Sequence, residues 1–76
     1  MNPVLTIDLR GCWYSNISFH ERRDAIVREL HSSSWRDEDL NSLLDELSEA
    51  RDLLTYAVVW RSVTYLADLH HVKLIY

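Results

Sequence analysis

Residues 55–65 read TYAVVWRSVTY, and whether this segment is strand or helix decides the fold. It is dense in β-branched and aromatic side chains, which pack well on a pleated surface and lose χ1 freedom in a helix. That composition predicts a buried strand centred on residues 58–61, Val58-Val59-Trp60-Arg61. The competing reading takes residues 53–69, LLTYAVVWRSVTYLADL, as one continuous helix, because periodicity alone does not separate a buried strand from a buried helix over a short apolar run. On the strand reading, residues 62–69 add a short helical turn and residues 72–76, VKLIY, form a last strand.

Upstream, residues 4–9, VLTIDL, alternate loosely between aliphatic and polar side chains and run into Arg10-Gly11, which reads as a short strand ending in a turn. Residues 12–17, CWYSNI, have no clear period and read as a loop or a second short strand. Ser18 and Glu21 have capping-box spacing, so a helix starts there. Phe19, Ile26, Val27 and Leu30 share one face of it, and the polar run His31-Ser32-Ser33-Ser34 ends it. Ser34 with Asp37 repeats the capping logic, and Asp37, Glu38 and Asp39 suit the positive end of the next helix dipole. Leu40, Leu43, Leu44 and Leu47 follow at helical spacing. Together these elements predict an α+β fold, a short, parallel, three-stranded sheet with two to three helices packed on it, in a single domain over residues 1–76.

The size of the chain, 76 residues, allows only a thin core, since a domain this small buries roughly 60% of the surface its unfolded chain exposes. One cysteine, Cys12, precludes an intramolecular disulfide. The start of the sequence, MNPVLTIDLRG, has no basic leader before an apolar run, and no stretch is long enough to span a bilayer. These features place the protein in the cytoplasm, with no membrane partner.

Charge is unevenly distributed. Of twelve acidic and eight basic residues, residues 36–51, RDEDLNSLLDELSEAR, hold six acids against Arg36 and Arg51, and the rest of the chain is balanced. The whole net charge of −4 therefore sits on one element. Such a field steers a basic protein partner and argues against direct nucleic-acid binding, which requires the opposite sign. With the leucines turned inward, Asp37, Asn41, Asp45 and Ser48 line up as a stripe beside the core face, extended outward by Glu38 and Glu49, while Asp39 and Glu46 lie on the other flank. Trp35 immediately precedes it. The expected partner-binding residues are thus Trp35, Asp37, Glu38, Asn41, Asp45, Ser48 and Glu49.

Catalytic and metal chemistry find little to work with. His70 and His71 are adjacent, so they diverge on a helix or a strand, and one glycine cannot build a phosphate-cradling loop. No catalytic residue, metal or cofactor is expected, and the chain reads as a binding protein that is not an enzyme.

The order of the pieces resembles the barstar family of ribonuclease inhibitors. The likeness rests on Phe19 and His20 at the start of a helix, Trp35, the run DLNSLLDEL over residues 39–47, and Val58-Val59-Trp60, and it covers residues 4 to about 61. Members of that family insert the corresponding acidic helix, with the loop before it, into the cationic active-site cleft of a bacterial ribonuclease, where carboxylates stand in for substrate phosphates. The resemblance implies that Asp45 is the key carboxylate, that Trp35 packs over the enzyme's catalytic region and that Ser48 is a hydroxyl contact. Asn41 stands where a second carboxylate is usual, Leu44 where an aromatic is common, and Asp37 in place of a glycine. Only sixteen residues follow Trp60, which on this likeness implies the loss of a C-terminal helix.

Two further functions fit the same residues. One is a phage or mobile-element protein that blocks a host nucleic-acid enzyme or defence complex by phosphate mimicry. The other is a structural homo-oligomer in which residues 53–69 form a long helix buried between subunits.

Overall fold

The computed structural model describes residues 5–15 and 18–76. Its elements are β1 (Leu5–Asp8), α1 (Arg10–Tyr14), α2 (Phe19–Ser32), α3 (Glu38–Glu49), α4 (Leu53–Leu69) and β2 (Val72–Ile75). The expected start of the first strand at Val4, and Asn16 and Ile17 of the loop-or-strand segment, lie outside the described residues.

The largest departure from expectation is at residues 55–65, which are helical and belong to α4. The sheet is accordingly two-stranded and parallel, not three-stranded, and the chain has four helices among the described residues, of which α4 packs on β2. Two local features explain the outcome. Asp52 caps the helix, its carboxylate accepting from the Thr55 amide at 2.8 Å and from the Thr55 hydroxyl at 3.2 Å. Beyond the cap, the buried side chains Tyr56, Val63, Leu66 and Ala67, with half-buried Val59 and Trp60, recur at intervals of three and four. That is the period of a helix lying on a core, and its burial outweighs a propensity deficit of a few tenths of a kcal/mol per β-branched residue. The helical turn expected at residues 62–69 is the second half of the same helix.

β1 and β2 pair in register Leu5↔Val72 to Asp8↔Ile75, and the Leu9 amide adds a bond to the Ile75 carbonyl at 2.7 Å. A parallel pair requires a long crossover. Here α1 to α4 provide it. The Arg10-Gly11 turn is instead the opening of α1, held by Asp8, whose carboxylate accepts from the Arg10 amide and guanidinium.

α2 begins as its capping serine predicts, with Ser18 Oγ accepting from the Glu21 amide at 3.2 Å. α3 starts at Asp37, not Ser34: the Asp37 carboxylate accepts from the amides of Asp39 and Leu40. Arg23 on α2 donates to the Ala50 carbonyl just past α3, tying the two helices together. The core gathers Ile7 and Leu9 from the first strand and its exit, Ile26 and Leu30 from α2, Leu40, Leu44 and Leu47 from α3, and Val63 and Leu66 from α4. An aromatic row, Phe19 to Tyr56 at 5.5 Å, Tyr56 to Trp60 at 6.2 Å and Trp60 to Tyr76 at 5.4 Å, runs from α2 across α4 to the end of β2. Among the described residues no helix is long and apolar enough to cross a membrane.

Candidate partner-binding surface

α3 is built to hold its acids still. Leu40, Leu44 and Leu47 are fully buried and Leu43 is half-buried, so one side of the helix is fixed against α2 and α4. Its N-terminus is capped by Asp37, which also pairs with His70 at the end of α4, Oδ2 to Nε2 at 3.1 Å. A rotation of α3 about its axis would expose leucines and break this cap, so the outward face has a fixed orientation.

That face carries Glu38, Asn41, Asp45, Ser48 and Glu49, all exposed, with Asp39 and Glu46 on the other flank. Ser48 Oγ donates back to the Asp45 carbonyl at 2.8 Å, leaving the Asp45 carboxylate in no hydrogen bond or ion pair among the described residues. Neighbouring bases do not neutralise the helix: the Arg36 guanidinium turns to the carbonyls of His31, Ser33 and Trp35. Helix α3 therefore presents acceptors to solvent on a rigid support, a geometry suited to arginine and lysine donors.

Two of the seven residues expected on this surface are placed otherwise. Trp35 is a core side chain, 6% exposed. Its indole belongs to the hydrophobic core and offers little surface to a partner, contrary to the aromatic contact that its position beside the acidic run suggested; nothing in its local sequence distinguishes a buried from a rim tryptophan. Asp37 is half-buried and spends its carboxylate on two amides and His70. Both act on the surface from below, by positioning it. The five remaining residues stand together on the solvent side.

A second exposed feature lies on α4, the segment that the homo-oligomer alternative took as one long helix. Leu54, Val58, Tyr65 and Leu69 on α4 are 77%, 62%, 67% and 57% exposed. The strand reading of residues 58–61 hides this strip, whereas the helical reading of residues 53–69 puts these four on one face.

Elsewhere, Cys12 is buried, and burial, with Glu29 nearby, pushes its thiol above the ordinary range, away from the thiolate that nucleophilic chemistry uses. His70 is occupied with Asp37, whereas His71 lines a different groove with Thr64, Asp68 and Lys73. No group of three or more His, Cys, Asp or Glu side chains that could hold a metal occurs among the described residues. Comparison with protein-family models, with curated proteins and with solved structures finds no match for the chain.

Proposed function

We propose that the protein acts by binding, without catalysing a reaction, and that the outward face of α3 docks into the basic active-site cleft of a ribonuclease or related nucleic-acid enzyme. One observation carries the reading: the carboxylates of Glu38, Asp45 and Glu49 stand exposed and without ion-pair partners among the described residues, on a helix whose opposite side is locked into the core. A cleft that binds a polyanion offers cations at intervals, and rigid acceptors meet it without an ordering cost. Asn41 and Ser48 supply neutral hydrogen-bonding groups between the acids.

The likeness to barstar-type inhibitors supports the same surface but changes in detail. A helix and a closing parallel strand do follow the acidic helix, as α4 and β2. What is absent is the strand expected at residues 58–61, because Val58-Val59-Trp60-Arg61 belongs to α4. Asp45 remains the central carboxylate of the surface, and Trp35 is withdrawn from it.

Titration into a small basic bacterial ribonuclease at low ionic strength is the direct test. Inhibition should weaken as salt rises, and Asp45→Ala should weaken it by about 2–5 kcal/mol if the carboxylate is desolvated against a cation. Absence of binding to any basic nuclease or nucleic-acid enzyme at low salt would overturn the reading.

A further inference from the structure

Helix α4, the longest in the chain at 17 residues, is buried on one side only. At 100° per residue, Leu54, Val58, Tyr65 and Leu69 fall within about 60° of one another on its outer side. All four are more than half exposed. Arg61 and Ser62 divide the strip into two apolar pairs, and four large apolar side chains exposed on one face of a domain this small mark a contact.

The spacing of the strip fits a second copy of the chain as its occupant. Its four residues are separated by four, seven and four positions, a pattern that reads identically from either end, with its midpoint between Arg61 and Ser62. Turning a second copy end for end about that midpoint sets Leu54 against Leu69 and Val58 against Tyr65, with the small side chain of Ser62 near the axis. A two-fold contact requires this self-complementarity, in which residue i meets j and j meets i. The face also carries both signs of charge, Arg61 beside the midpoint, Asp68 on one flank and Asp39 across the adjoining groove that Leu43, Tyr65 and Leu69 line. The two copies of Arg61 meet near the axis, and each can extend along the helix toward these carboxylates.

We infer that α4 is the interface of a homodimer in which two copies pack antiparallel through Leu54, Val58, Tyr65 and Leu69. A helix of 17 residues is about 25 Å long and about 10 Å across. One face of it falls below the standard interface of about 800 Å² per partner. The dimer is therefore weak and reversible, with a dissociation constant in the micromolar range or above. Each copy carries a net charge of −4, so salt screens the mutual repulsion and tightens the dimer, whereas salt weakens docking of the α3 face onto a basic cleft. The two contacts thus fail independently and respond to salt with opposite signs.

Sedimentation equilibrium of the full chain tests the inference. Between about 10 µM and about 1 mM, spanning the expected dissociation constant, the mass should rise from one chain toward two and shift to lower concentration as salt increases. Val58→Glu and, separately, Tyr65→Lys should each raise the dissociation constant about tenfold or more by placing an unpaired charge in the contact. Both positions are exposed, so helical circular dichroism should be unchanged, and either variant alone suffices. Register is read by cross-linking with a short bismaleimide, the parent chain with its buried Cys12 serving as control. Ser62→Cys should join to a second copy of itself and Leu54→Cys should not. A single-chain mass at the highest concentration and salt, dimerisation indifferent to both charged substitutions, or self-linking of Leu54→Cys would overturn the proposal.

Discussion

At the scale of single residues, Tyr56 is the most informative side chain. Its ring is sandwiched between Phe19 and Trp60, and its hydroxyl is buried without a hydrogen-bond partner among the described residues. Burial pushes the phenol up to about 12 from its usual value of 10.0. Because the folded protein holds this proton more tightly than the unfolded chain, the phenol is neutral in both states below pH 10 and its ionisation adds no pH dependence there. Between pH 10 and about 12 only the unfolded chain ionises, and stability falls through that window. Tyr56→Phe should flatten this alkaline loss as followed by denaturant titration. At neutral pH it should stabilise the fold by about 1 kcal/mol, since an unsatisfied buried hydroxyl is removed while the ring packing is kept. His71 is a second strained point: it follows α4 with φ of 57°, a left-handed conformation that glycine adopts freely. His71→Gly should raise the unfolding free energy by about 1 kcal/mol, read from the denaturation midpoint.

At the scale of elements, α2 and α3 were legible because their signals are local. Ser18 and the leucine spacing of residues 40–47 place both helices within a few residues of where they lie. The start of α3 was misread by one capping group, because Ser34 and Asp37 both satisfy the pattern and only the fold shows that the Asp37 carboxylate meets the amides. For α4 the propensity of individual residues pointed the wrong way. The decisive evidence was the Asp52 cap and the three-and-four spacing of Tyr56, Val59, Val63 and Leu66, a pattern that outranks the preference of any one valine. Trp35 illustrates a different limit: its burial depends on tertiary packing, which no short window encodes. Asp37 gives this scale its test. Asp37→Asn keeps an acceptor for the Asp39 and Leu40 amides and loses only the carboxylate charge beside the half-exposed His70 ring, so stability should change by no more than about 0.5 kcal/mol. Asp37→Ala removes the cap and should cost about 1 kcal/mol in chemical denaturation. Equal losses in the two variants would show that the contact with His70, not the cap, anchors α3.

At the scale of the whole molecule, fold and function pull on different sides of the same helix. The buried leucines of α3 fix the fold, and its outer acids, with a net charge of −4 concentrated in residues 36–51, contribute little to it. Asp45 and Glu49 are spaced four apart, a like-charge arrangement that destabilises an isolated helix by about 0.2–0.5 kcal/mol. Glu38, in the first turn, gains a comparable amount from the helix dipole. Replacing all three by their amides, Glu38→Gln, Asp45→Asn and Glu49→Gln, should therefore leave stability within about 0.5 kcal/mol of the parent. The same triple variant removes the charge that would draw a basic cleft toward α3 from a distance. Its association rate with a basic nuclease, measured by stopped flow at low salt, should fall about tenfold or more, and the dependence of that rate on ionic strength should flatten. Dissociation should quicken by little more than in Asp45→Asn alone, because distant charges guide the encounter while contact charges hold the complex. If the association rate and its salt dependence were unchanged by the triple substitution, the field of α3 would have no part in recognition, and the acids would be a solvated face and nothing more.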